Sequence, residues 1–253
     1  MRVAGSLLAL LLFVLTGTGC SIFQEYDETA GWDASQLYTA GKEALDEGDY
    51  QKAIQLYTKL EARFPYGRYT QQAQLETAYV HYKDGEPQAA IAAADRFIKL
   101  HPRHPNVDYA YYMRGLASFD PGRSFMDRFF PQDKAQRDPT TARESFRYFS
   151  ELVQRFPDSR YSQDAIQRMT YLRNNLARHE IQVADYYMRR GAPLAAANRG
   201  KYVLEHYERT PSVPDALEIM VRAYREMGMN DLADDALRVL AQNHPERAAQ
   251  LAP

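Results

Sequence analysis

The sequence predicts an all-α solenoid of about five helical hairpins, and three observations carry that prediction. From Ser35 onward Ala, Leu, Tyr and Arg recur at three- and four-residue spacing, the period of a helix face. Gly48, Ala53, Tyr57 and Pro65 are matched by Gly85, Ala90, Ala94 and Pro102, a shift of 37 residues throughout. Near the C-terminus Gly228, Ala233, Leu237 and Pro245 hold the same mutual spacing. A single hairpin cannot bury its own apolar face, so repeats of this length stack into one continuous core.

The N-terminus is a different material. Arg2 supplies a short positive region, Val3 to Leu15 are almost wholly apolar, and Gly17, Thr18 and Gly19 lead to Cys20, the only cysteine. The apolar run of about 13 residues is short of the roughly 20 that a spanning helix needs. Residues 1–19 therefore read as an export signal, and a lone Cys at its end points to lipoprotein processing with acylation of Cys20. Gly17 stands where such signals usually carry Leu. Ser21 resembles the residue of lipoproteins sorted to the outer membrane. Residues 20–34, with Asp27, Glu28, Gly31 and Asp33, read as a flexible tether.

In the first hairpin Gly41 and Ala53 let the two helices approach closely, Gly48 ends the first helix, Tyr57 fills the gap between hairpins and Pro65 stops the second. The second hairpin uses Ala78 and Ala90 for close approach, and in the last Tyr224 and Ala233 take the matching positions. The third has Gly115 on its first helix and Ser145, Phe149, Leu152 and Pro157 on its second, with an insertion of about 18 residues between them that contains Pro121, Phe125, Phe129 and Phe130. Tyr161 to Ala177 reads as an additional helix. Ala184, Tyr187, Gly191 and Ala196 then mark a fourth hairpin, less cleanly closed at Pro211. A small residue on the first helix, a small and a bulky one on the second and a closing Pro resemble the tetratricopeptide repeat. Residues 35–160 hold repeats 1–3 and residues 161–253 hold repeats 4–5.

Composition narrows the function. Formal net charge is −2, and the 24 Arg among 31 basic residues are interleaved with acids, so no stripe for nucleic acid forms. None of the six histidines has the His-Glu-x-x-His spacing of a zinc hydrolase, and the pair His101 and His104 lies in an inter-repeat turn between Pro102 and Pro105, where it reads as solvated. There is no phosphate-binding Gly loop and no Gly-x-Ser-x-Gly elbow. Asp234 and Asp235 read as a solvated helix face. The expectation is a protein that binds other proteins, with no enzyme activity, cofactor or metal.

What remains is surface. First helices line the concave face of such solenoids, and in the first three hairpins they place Tyr38, Lys42, Gln72, Tyr79, Tyr82, Lys83, Tyr109 and Tyr112 there. Tyr79 and Tyr82 share a helix face, as do Tyr109 and Tyr112. An aromatic groove with two lysines suits an extended peptide with aromatic side chains and a terminal carboxylate, while the same tyrosines also suit packing between hairpins.

The stretches Arg63-Phe64-Pro65-Tyr66-Gly67-Arg68-Tyr69, His101 to Tyr109, Arg137-Asp138-Pro139 and Ala196-Ala197-Asn198-Arg199 are far more specific than a generic repeat. With the lipid signal and the insertion, they make the chain resemble the BamD family, lipoproteins of the outer-membrane β-barrel assembly (BAM) machinery, from Leu37 to about Gln242. The resemblance implies that the N-terminal repeats recognise the C-terminal targeting segment of unfolded outer-membrane proteins. It implies that the C-terminal repeats, through Asn198 and Arg199, dock on the periplasmic domains of the barrel protein BamA, beside other BAM lipoproteins. An Arg fork there can pair with a carboxylate through two hydrogen bonds. The expected location is the periplasmic face of the outer membrane. Two competitors are a secretin pilotin, which shares anchor and architecture, and a cell-wall enzyme.

Overall fold

The computed structural model describes residues 27–119 and 139–251, so Cys20 and most of the predicted insertion lie outside the described residues. Among the described residues every regular element is helical: α1 (Ala34–Glu47), α2 (Tyr50–Arg63), α3 (Arg68–Asp84), α4 (Pro87–Leu100), α5 (Val107–Ser118), α6 (Pro139–Arg155), α7 (Ser162–Arg189), α8 (Pro193–His206), α9 (Val213–Glu226), α10 (Asn230–Asn243) and the short α11 (Pro245–Ala249). Consecutive helices pair and each pair packs on the next, with first helices also touching across hairpins, as α1 and α3 do. The result is five hairpins closed by α11. None of these helices is long and apolar enough to cross a membrane.

The punctuation acts as its chemistry requires. Asp33 caps α1 by accepting from the Gln36 backbone N–H at 2.8 Å while Gln36 reaches back to the Asp33 N–H at 2.9 Å. Gly48 ends α1 at φ 83°, a left-handed conformation in which a Cβ is strained. Its counterparts Gly85, Gly191 and Gly228 also have positive φ.

Close approach is achieved by pairing a glycine with a ring. A Cβ built on Gly41 would sit 2.4 Å from the Tyr57 ring, and one on Gly115 would sit 2.4 Å from Phe149. Both rings are almost wholly buried. In the hairpin between them the matching positions Ala78 and Ala94 are fully buried, and Phe97 fills the space one turn on. Ser145 adds a buried hydrogen bond to the Gly115 carbonyl at 3.0 Å, which ties α6 to α5 at the same level.

Two sequence expectations change here. The additional helix over Tyr161–Ala177 and the first helix of the fourth hairpin are one continuous helix, α7, of 28 residues. Between Ser162 and Arg189 there is no Gly or Pro to break it. At 1.5 Å per residue it is roughly 42 Å long, and it packs on α6, α8 and α9, so it belongs to both halves of the solenoid.

The described part of the expected tether is also not loose. Asp27 receives Lys59 at 2.8 Å and pairs with Arg63, which also donates to the Thr29 carbonyl. These contacts hold the Asp27 carboxyl well below the usual carboxylate range, with the Lys59 hydrogen bond the main cause. Trp32 packs against the core of the first hairpin.

Candidate functional site

The first helices of hairpins 1–3 and the turn between α6 and α7 enclose a cleft of about 350 Å³. Its lining includes Lys42, Gln72, Glu76, Tyr79, Asn106, Tyr109, Arg160 and Tyr161. Four of the eight residues expected from the sequence, Lys42, Gln72, Tyr79 and Tyr109, thus meet in one place.

The other four do different things. Tyr38 stacks on Tyr57 with ring centroids 6.1 Å apart and donates its hydroxyl hydrogen bond to Glu76 at 2.8 Å, so it packs behind the cleft wall. Tyr112 donates to Asp164 at 2.6 Å and stacks on Tyr161 at 4.9 Å, closing hairpin 3 against α7. Tyr82 and the exposed Lys83 line a second cavity of about 310 Å³ with Pro87, Leu116 and Phe119. Although Tyr79 and Tyr82 share a helix face with ring centroids 6.5 Å apart, the two serve different cavities.

Glu76 organises the cleft wall, and the sequence reading missed it. Its carboxylate accepts from Tyr38, from Tyr57 at 2.5 Å and from Gln72 at 3.1 Å. Burial, followed by the hydrogen bond to Glu76, raises both phenol pKa values far above the ordinary tyrosine value. Burial raises Tyr109 likewise, and pushes Tyr112 up to about 12.

A pH dependence follows from these shifts. An unfolded tyrosine ionises near 10, whereas these four stay protonated in the fold to higher pH. Their contribution to stability is therefore complete below about pH 10 and lost as pH rises through the folded values. Urea titrations from pH 8 to 12 are expected to give a constant unfolding free energy up to about pH 10 and a falling one above it. A flat profile to pH 12 would remove the assignment.

Arg160 and Tyr161 were also absent from the sequence expectation. The Arg160 guanidinium carbon lies 5.0 Å from the Tyr161 ring centroid, and that ring is 5.3 Å from Tyr109 and 4.9 Å from Tyr112. Both residues lie between two helices and follow the insertion, so the 37-residue register does not reach them. The available signal was local: Arg next to Tyr just before the N-terminus of a long helix.

The second expected surface is on α8. Asn198 is exposed. Arg199 keeps 43% of its side chain exposed, yet it donates to Glu180 of α7 at 2.9 Å. Glu180 is only 2% exposed and is met from the other side by Arg143 of α6 at 3.4 Å. The hydrogen bond that Arg199 donates to Glu180 is the main cause of the raised Arg199 pKa. Arg199 therefore neutralises a buried carboxylate in addition to facing solvent.

A family model described as "Outer membrane lipoprotein" (YfiO) matches residues 31–240. A Neisseria meningitidis serogroup B protein named "Outer membrane protein assembly factor BamD" is 46% identical over 218 residues, 86% of this chain and 82% of that relative. The chain belongs to the BamD family. BamD proteins of Xylella fastidiosa and Haemophilus influenzae are each 37% identical, covering 95% and 96% of this chain and 82% and 92% of their own. Among solved structures, the Thermus thermophilus tetratricopeptide-repeat protein TTC0263 is 15% identical with a TM-score of 0.36, covering 86% of this chain and 98% of its own. MamA is 17% identical with a TM-score of 0.31, covering 87% and 96%.

The stretches that carried the BamD resemblance are held by the fold itself. Arg63 clamps Asp27 and the Thr29 carbonyl. His101, read from the sequence as solvated, donates from Nε2 to the Gln74 Oε1 at 2.7 Å, and both His101 and His104 pack on the Phe97 ring at 5.1 and 5.2 Å. Arg199 holds Glu180. Arg137 and Asp138 lie outside the described residues.

Proposed function

We propose that this protein is a scaffold subunit of the BAM machinery that works by binding rather than by catalysis. Acylated Cys20 anchors it to the periplasmic face of the outer membrane. The cleft within residues 35–160 holds segments of unfolded β-barrel proteins, and residues 161–253 dock on the periplasmic domains of BamA, beside other BAM lipoproteins. Membership of the BamD family supports this reading, as do the relatives' names, "Outer membrane protein assembly factor". Those names give no support to a secretin pilotin. The single observation that carries the client site is the convergence of Tyr79, Tyr109 and Tyr161 with Lys42 and Arg160 on one cleft. Rigid aromatic rings supply contact area at low entropic cost, and the cations add polarity. Membrane anchoring raises the effective concentration of such a site near its partners.

The two neighbouring tyrosines test the cleft against a general aromatic surface. Tyr79→Ala is expected to weaken binding of an aromatic-ended client peptide about tenfold, the size of a modest hot spot, whereas Tyr82→Ala changes it less than about twofold because its ring lines the other cavity. Fluorescence polarisation with a labelled peptide reads both. Equal losses, or none, would remove the cleft assignment.

A further inference from the structure

We propose that Arg160 sets the cleft's specificity by pairing with a carboxylate carried next to an aromatic side chain of an extended peptide. This rests on the reading of the cleft as a peptide site and adds what that site selects. The cleft is electrostatically asymmetric. Glu76 on α3 is the lining carboxylate, and its oxygens are already engaged by Tyr38, Tyr57 and Gln72. A second carboxylate next to it would meet like charge in a partly desolvated site.

The lining cations are Lys42 on α1 and Arg160 in the turn before α7. They are not equivalent. Lys42 is paired with Asp46 at 3.2 Å, one turn along its own helix. Among the described residues no carboxylate pairs with Arg160, which is solvent-exposed and rests over Tyr161. The cation–π contact holds the guanidinium beside the Tyr161 ring, and its N–H fork can meet a planar anion through two hydrogen bonds.

The aromatic layer beside it sets the rest of the ligand. Tyr161 continues through Tyr109 into the cleft, and Tyr109 keeps its phenol proton. A ligand ring laid on this layer carries an adjacent carboxylate to Arg160 and away from Glu76. That carboxylate is either the chain terminus or an acidic side chain.

Three labelled ten-residue peptides separate the possibilities, measured against the full chain in detergent: one ending in Phe with a free terminus, the same peptide amidated, and an amidated version with Glu before the Phe. The wild type is expected to bind the free acid about tenfold more tightly than the amide, the effect of one charge-assisted pair. Arg160→Gln is expected to erase the difference between free acid and amide by weakening the acid about tenfold more than the amide, and Arg160→Lys to fall between, having charge but no fork. Recovered affinity in the Glu peptide means that a side-chain carboxylate is accepted, and no recovery restricts the site to the terminus. Equal binding of all three peptides by the wild type, or equal loss of all three in Arg160→Gln, overturns the inference while leaving the cleft reading intact. Failure of the wild type to bind any of the three overturns the cleft reading itself.

Discussion

Phe149→Ala is expected to destabilise the protein by about 3–5 kcal/mol, the range for truncating a fully buried ring. Phe149 sits against Gly115 where the insertion-bearing hairpin closes, with Tyr112 and Phe119 rings 6.0 and 6.1 Å away. Gly115 contributes no side chain to occupy the space that the ring would leave. The converse change, Gly115→Ala, forces a methyl to within 2.4 Å of the same ring and displaces it. Overpacking of this kind costs about 1–3 kcal/mol. Combining the two should cost clearly less than their sum, since the added methyl enters the cavity left by the ring. Urea unfolding of the two single variants and the double variant checks the cycle, and strict additivity would mean that the ring and the glycine are not a unit.

Arg199→Glu is expected to cost about 3 kcal/mol of stability, the low end for stripping a buried charge of its partner. The substitution removes the closer of two arginines from Glu180, which is 2% exposed, and sets a second carboxylate against it. Arg143 at 3.4 Å remains and limits the loss. The melting temperature should fall by roughly 6–12 °C. Arg199→Glu is also expected to release BamA, but that loss alone does not separate docking from folding. A docking role is isolated by Asn198→Asp on the exposed neighbour, which should weaken co-purification with BamA at wild-type melting temperature. An Arg199→Glu protein that melts with the wild type would show that Glu180 does not depend on it.

The legibility of the fold had a physical basis. Gly48, Gly85 and Gly228 are needed where the chain takes positive φ, and Gly41 and Gly115 where a ring leaves no room for a Cβ. Such requirements leave fixed residue types at fixed spacing, so the hairpins could be read from one sequence. Helix α7 was divided because the repeat template expects a short helix after Pro157. The absence of Gly and Pro over Ser162–Arg189 was the better guide.

The cleft was half legible for a related reason. Tyr79 and Tyr109 lie on first helices in register, whereas Arg160 and Tyr161 reach the same cleft from a turn that follows the insertion. Tyr112 obeys the register too, but its hydroxyl is taken by Asp164, 52 residues away in sequence. The pairing of Arg199 with Glu180 was beyond the pattern altogether. A glutamate in a helix reads as solvated until the packing of α6, α7 and α8 around it is known.

A photoreactive residue at position 72, in the cleft wall of the full-length protein in growing cells, asks most directly whether this scaffold holds β-barrel precursors there. Irradiation is expected to yield adducts with unfolded outer-membrane proteins from position 72, and few or none from the exposed position 194 on α8. Adducts of equal yield from both positions, or none from position 72 while the protein remains anchored and folded, would contradict it.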